Sequence, residues 1–140
     1  MMKYILFIFC LYSCGGTTGH IEFYNFNATK YEVENALLQV INNDTTYKVP
    51  KKWRSHTKDD YFERIYIYFS NRPNELYQIG FTDSNEWQKS ATCRLGLISI
   101  YQGEQFMYED DLNWKEQERI QKRFEEEILT KIKYTYIKSD

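Results

Sequence analysis

A cysteine and a histidine are the first residues of this chain to consider for chemistry, because an imidazole can activate a thiol as a nucleophile. Cys93 lies in an apolar, strand-like segment, and His56 lies in a polar segment well before it. The residues around Cys93 match no local signature of a thiol enzyme, and nucleophile and base must also meet in space. We therefore expect Cys93 to be a small buried strand residue rather than a catalytic group.

His56 is also near two acidic residues, Asp59 and Asp60, which together could offer ligands to a metal ion. Neighbouring residues of a strand point to opposite faces, so the two carboxylates would not converge on one ion. The acidic run at 109–111 lacks the spacing of a calcium loop. The chain also has no phosphate-binding glycine loop, nucleophile elbow or zinc-protease motif. The sequence therefore predicts neither an enzyme nor a bound metal or cofactor.

Tyrosine and arginine on predicted strands form a candidate binding surface of a different kind. Between residues 61 and 70, apolar residues alternate with polar and aromatic ones, which is the period of a strand with two different faces. If the apolar set faces the helices, the opposite face carries Arg64, Tyr66, Tyr68, Gln78, Gly80 and Thr82. Arg94 and Gly96 join this face if the third strand follows the same register. Tyr and Arg are enriched at the centres of interfaces. The alternative is an ordinary solvated face, where tyrosine is favoured for cross-strand packing.

A basic segment between predicted elements is the second candidate surface. Its candidate binding residues are Lys51, Lys52, Trp53 and Arg54, and Lys48 and Lys58 extend the charge on either side. Such a segment suits an anionic lipid surface or an acidic partner. The alternative is a solvated connection from which Trp53 turns into the core.

An amphipathic helix near the N-terminus is the first element that must position these residues. Its apolar stripe has helical spacing and consists of Val33, Ala36, Leu37, Val40 and Ile41. Thr29 and Glu32, just before this stripe, form a capping box that predicts the start of the helix.

The remaining elements are strands and one further helix. We expect strands at 21–26, 61–70, 76–82 and 92–101, followed by a short segment at 105–109. A helix is predicted over 113–132, capped by Asn113, with Glu118–Lys122 and Glu127–Lys131 as ion pairs on its exposed side. Its buried stripe is Ile120, Phe124, Ile128, Leu129 and Ile132. This order predicts an α+β fold, with two amphipathic helices on one face of an antiparallel β-meander.

The composition of the 140-residue chain is typical of one globular domain, at 42% hydrophobic and 27% charged residues. The formal net charge is −2, whereas a nucleic-acid-binding protein usually carries a basic excess, so we expect no nucleic-acid partner. The aromatic content of 18%, with 13 tyrosines, suits half-buried sheets and binding surfaces alike.

The N-terminus has the pattern of an export signal. Lys3 is followed by an apolar run from Tyr4 to Ser13, which is far shorter than the roughly 20 residues of a membrane-spanning helix. The end of this run, Leu11-Tyr12-Ser13-Cys14-Gly15, resembles the lipobox of bacterial lipoproteins, although a small residue is commoner where Tyr12 stands. The resemblance covers about the first 15 residues.

The resemblance to lipoproteins implies a specific processing and cellular location. Residues 1–13 would be removed, Cys14 would carry the lipid, and residues 14–20 would form a flexible tether to a domain at 21–140. Family rules for the residue after the cysteine, here Gly15, favour the outer membrane, and the absence of an acidic run favours its periplasmic side. Several acyl chains make such membrane attachment effectively permanent. Cys93 is then left without a cysteine partner.

These inferences together predict a non-enzymatic envelope lipoprotein that binds a protein or glycan component of the envelope. One alternative is an immunity or inhibitor lipoprotein that neutralises a toxin or hydrolase, and another is a small enzyme with an unrecognised site. Separately, Asp44-Thr45-Thr46 resembles the short O-glycosylation motif of Bacteroides-type exported proteins.

Overall fold

The fold of the chain is a single antiparallel sheet covered by helices, as seen in a computed structural model that describes residues 19–53, 64–81 and 90–139. The strands are β1 (Glu22–Phe26), β2 (Arg64–Phe69), β3 (Glu75–Phe81), β4 (Cys93–Gln102), β5 (Gln105–Met107) and β6 (Tyr136–Lys138). The predicted α+β class is confirmed.

The strands β2, β3 and β4 pair in chain order, so the predicted meander is present. β1 pairs with the other side of β4 and is followed by β6, which gives the order β2-β3-β4-β1-β6, and β5 pairs only with β4. β6 lies in the tyrosine-rich tail, where the sequence indicated no strand. Three residues are too few to show a period, and their pairing with β1 joins opposite ends of the chain.

The first helix, α1 (Lys30–Asn43), has the predicted capping box at its start. The Thr29 hydroxyl accepts from the backbone N–H of Glu32, and the Glu32 carboxylate accepts from that of Thr29 at 2.9 Å. Val33, Leu37 and Ile41 are buried against the sheet, as their spacing predicted. Local sequence therefore determines both where this helix begins and which face it buries.

The second helix, α2 (Trp114–Glu127), is shorter than predicted. Asn113 caps it through a hydrogen bond from the N–H of Glu116. After Ile128 the chain tightens into a 3₁₀ turn at Leu129–Lys131, in which the N–H of Lys131 bonds the carbonyl of Ile128. The stripe Ile120, Phe124, Ile128, Leu129 and Ile132 is nevertheless buried throughout.

Both predicted ion pairs on α2 are wrong. Lys122 lies 3.8 Å from Glu126, and Glu127 bonds Arg123 instead of Lys131. Lys131 lies beyond the helix end, so it is not one turn above Glu127, and its ammonium donates to the Tyr47 hydroxyl at 2.7 Å. α1 and α2 bury their apolar sides in one core against the same face of the sheet.

Candidate functional site

The outer face of the sheet, meaning the strand side chains that point away from α1 and α2, contains the predicted binding residues. Strand pairing places Tyr66 beside Gln78 and Tyr68 beside Leu76. Their neighbours in sequence, such as Ile67 and Ile79, belong to the helix-side core. The alternation of apolar and polar residues along β2 and β3 therefore predicted correctly which face of the sheet each side chain occupies.

A buried hydrogen-bonded row crosses the outer face. The Ser99 hydroxyl donates to the Gln78 carbonyl oxygen at 2.6 Å, and the Gln78 amide donates to the Tyr66 hydroxyl at 2.9 Å. Gln78 is 4% exposed and Ser99 is fully buried. A register shift in the pairing of β3 with β4 leaves Ile98 as an extra residue, which places Ser99 beside Gln78. This row links three strands, and Tyr66 is its partly exposed member.

Trp53 of the basic segment packs onto the outer face. The predicted sheet surface and the predicted basic surface are therefore continuous. Its ring lies edge-on to Tyr68 at 4.9 Å and to Tyr101 at 5.5 Å between centroids. Tyr68, Leu76 and Tyr101 form a second small core under this cover, with Val49, Trp53, Tyr66 and Phe106 around it. Tyr68 is consequently 8% exposed and does not offer its ring to a ligand.

The segment leading into Trp53 contributes exposed positive charge beside this aromatic cover. Lys51 and Lys52 are exposed, and the Lys52 ammonium lies 5.5 Å from the centre of the Trp53 ring. Trp53 itself is partly exposed. Arg54 and Thr82, which the sequence also assigned to these surfaces, lie outside the described residues.

Arg64 and Arg94 contribute positive charge to the outer face. Arg64 opens β2 and Arg94 follows the first residue of β4, and both are partly exposed. The Arg94 guanidinium stacks 4.6 Å from the centre of the Phe23 ring and donates to the Ser139 hydroxyl at 3.0 Å. Among the described strand residues of the outer face these two are the charged ones, since Glu22, Glu75 and Lys138 point to the helix side.

A buried ionic cluster between β3 and α2 was not predicted from the sequence. The Glu75 carboxylate is fully buried and accepts from Arg119 and Arg123, one helical turn apart on α2. The Tyr77 hydroxyl donates to the same carboxylate at 3.0 Å. The available signal was a charged residue at an inward position of β3, with two arginines spaced i, i+4 on an amphipathic helix.

This cluster joins the β2–β3 turn to α2. Arg123 also donates to the backbone carbonyls of Asn71 and Pro73, at 3.0 and 2.6 Å. Hydrogen bonding to Glu75 raises the pKa of Arg119, and burial, followed by the charge of Glu75, raises the pKa of Tyr77. The carboxylate is thus occupied by cations and a hydroxyl, which suits a structural role.

The remaining sequence candidates for chemistry are buried or lie outside the described residues. Cys93 is 3% exposed and belongs to the helix-side core. Cys14, His56 and the two acids Asp59 and Asp60 fall in segments that the structure does not describe. Within the described ranges, no group of three or more histidine, cysteine or acidic side chains is arranged to hold a metal ion.

Asp44-Thr45-Thr46, the segment that resembles a glycosylation motif, lies at the turn that follows α1. The Asp44 carboxylate accepts from both the N–H and the hydroxyl of Thr46, at 3.0 and 2.6 Å. These hydrogen bonds lower the pKa of Asp44. Thr45 and Thr46 are both exposed at this turn.

No family model matches this chain, and no curated protein or solved structure is significantly similar to it. None of the helices in the described part of the chain is long and apolar enough to cross a membrane.

Proposed function

We propose that this chain is a lipid-anchored envelope protein that binds an acidic protein partner through its outer face. The anchor is supported by the resemblance of residues 1–15 to lipoprotein signals. The binding site is supported by one observation above all, the charge of the outer face. Arg64 and Arg94 are the charged residues that its described strands present, and both are positive.

The chemistry of these side chains favours carboxylates as the recognised groups. A guanidinium offers a planar fork of donors that matches a carboxylate with two parallel hydrogen bonds. Arg64 and Arg94 are both half-buried, so their fields are less screened than those of surface lysines. Lys51 and Lys52 add exposed positive charge, which speeds the approach of an acidic partner.

The aromatic residues give the same surface apolar contact area. Trp53 and Tyr66 are both partly exposed, and both are held by packing or hydrogen bonding to the sheet. Rigid Trp, Tyr and Arg side chains are the types that dominate protein interfaces. We propose binding without catalysis, because the buried carboxylate of Glu75 is occupied and Cys93 lies in the core.

An inhibitor or immunity lipoprotein is the second candidate, and the same positive face favours it. An inhibitor must neutralise its target at low concentration, so this function requires a tight one-to-one complex. An accessory protein of the envelope would exchange its partner more readily. The dissociation rate of the purified complex therefore separates the two functions.

The outer face is tested by crosslinking the membrane-bound, full-length protein to its neighbours. The variant Arg64→Gln/Arg94→Gln removes both positive charges, and we expect at least a tenfold loss of one defined crosslinked complex. The matched control Lys115→Gln/Lys122→Gln removes two positive charges from α2 and should leave that complex unchanged. Equal yields from both variants, with unchanged circular dichroism, would overturn the proposed site.

A further inference from the structure

A groove runs along α1, on the opposite layer of the molecule from the outer face. It lies between α1 and the chain at 131–134, and its volume is about 500 Å³. Pockets that bind small ligands commonly have volumes of roughly 300 to 1,000 Å³. The groove is therefore large enough for a ligand of several rings.

One wall of the groove is a ladder of uncharged polar side chains on α1. Tyr31, Asn35, Gln39 and Asn43 repeat at intervals of four residues, so they follow one another about 6 Å apart along the helix. Each amide offers both donors and an acceptor. Within the described part of the chain, the side chains of Asn35 and Gln39 take part in no hydrogen bond.

The floor of the groove is apolar, and its other wall is basic. Ala36, Val40 and Ile132 form the floor, of which Ile132 is buried. Lys131 and Lys133 lie on the second wall beside Tyr134. The Lys133 ammonium is exposed and lies 5.4 Å from the centre of the Tyr134 ring.

The acidic side chain in the groove is already occupied. The Glu32 carboxylate accepts from the backbone N–H and the hydroxyl of Thr29, both at 2.9 Å. These hydrogen bonds lower the pKa of Glu32, so the group remains an anion bound to the helix start. Lys131 already donates to the Tyr47 hydroxyl, and Lys133 acts electrostatically on Glu32, so the two lysines and one carboxylate of the lining leave one net positive charge.

From this lining we infer that the groove binds an acidic oligosaccharide. Sugar hydroxyls both donate and accept, as the amides of the α1 ladder do. Tyr31 is 74% exposed and can stack its ring on the C–H face of a sugar. Lys133 supplies the cation for a sugar carboxylate.

An extended peptide fits the same groove less well. The backbone groups of α1 are used within the helix, so this wall offers no free strand edge to a peptide. The floor formed by Ala36 and Val40 offers only small apolar side chains to an anchoring residue. The observations therefore favour a ligand whose own surface consists of hydroxyls and carboxylates.

The inference is tested by titrating the full-length protein in detergent with trigalacturonate and with the neutral trisaccharide maltotriose, followed by a wider array of acidic oligosaccharides. We expect an acidic oligosaccharide to bind, and Asn35→Ala/Gln39→Ala to weaken that binding at least tenfold. Tyr31→Ala should weaken it similarly, whereas Trp114→Ala, which removes an aromatic ring 68% exposed on α2, should not. Lys133→Gln should abolish the preference for acidic over neutral sugars, whereas Lys122→Gln should preserve it.

Three results would overturn the inference. The first is the absence of binding to every acidic oligosaccharide. The second is a loss of oligosaccharide binding in Trp114→Ala as large as that in Tyr31→Ala. The third is binding of a peptide that Asn35→Ala/Gln39→Ala abolishes. The site is independent of the proposed protein-binding face, so Arg64→Gln/Arg94→Gln should leave sugar binding unchanged. Failure at the groove and failure at the outer face are thus separate outcomes.

Discussion

The buried carboxylate of Glu75 shows how strongly a single residue can depend on its partners. Burial of an isolated carboxylate is costly, but Arg119 and Arg123 together surround Glu75 with donors. Arg123 is 9% exposed, so this part of the cluster is shielded from water, whereas Arg119 is 33% exposed and is screened more strongly. The cluster stabilises one arrangement of α2 on the sheet.

Replacing Glu75 with glutamine removes the negative charge and leaves two arginines facing a neutral amide. We expect the free energy of unfolding to fall by about 3 kcal/mol, because a buried pair that loses one partner leaves an uncompensated charge. Urea denaturation followed by circular dichroism measures this change.

The control for this prediction is Glu126→Gln, on the exposed side of the same helix. Glu126 is 65% exposed and lies 3.8 Å from Lys122, so its loss should change the free energy of unfolding by less than about 0.5 kcal/mol. If Glu75→Gln were no more destabilising than this control, the structural role of the cluster would be wrong.

At the scale of elements, the sequence predicted features within one helix or strand better than contacts between distant segments. The capping box and apolar stripe of α1 are within one helix, so Thr29, Glu32 and Val33 specified them directly. Alternation also assigned Tyr66 and Gln78 to one face of the sheet. Whether that face is exposed depends on Trp53, which reaches Tyr68 from a separate segment.

The cover over Tyr68 and the cluster around Glu75 could not be derived from sequence spacing alone. Both depend on which segments meet across the sheet, and hydrophobic periodicity carries no information on those pairings. The groove on α1 left a local signal in its polar ladder at 31, 35, 39 and 43. Its second wall comes from the chain after α2, and no pattern in α1 indicates that contact.

The cap of α1 makes stability depend on pH in acid. The pKa of Glu32 is lower in the folded chain than in the unfolded chain, where it is about 4.5. The stabilisation is therefore complete above the unfolded pKa and disappears as the pH falls through the folded pKa. Between about pH 6 and pH 3, we expect the free energy of unfolding to fall less for Glu32→Gln than for the wild-type protein.

Urea midpoints measured at several pH values test this expectation. Glu126→Gln serves again as the control, because Glu126 is exposed and caps no helix end. Its acid dependence should match that of the unmodified protein. If Glu32→Gln and the wild-type protein lost stability equally over this pH range, the proposed contribution of the α1 cap would be wrong.

As a whole, the molecule has two faces of different chemistry. The outer face joins two arginines to a covered aromatic cluster, and the opposite layer carries a polar groove beside α1. In the proposed account, lipid on Cys14 holds this domain at a membrane, where protein and sugar partners of the envelope are close by. The proposed envelope function therefore depends most on this lipid anchor.

Metabolic labelling with an alkyne analogue of palmitate, followed by membrane fractionation, measures lipid attachment and location together. If lipid on Cys14 anchors the protein, the full-length protein is labelled and sediments with membranes, whereas Cys14→Ser is unlabelled and leaves the membrane fraction. Cys10→Ser, a matched change within the segment that the proposed cleavage would remove, should remain labelled and membrane-bound. Persistent labelling of Cys14→Ser, or an unlabelled wild-type protein, would contradict the account.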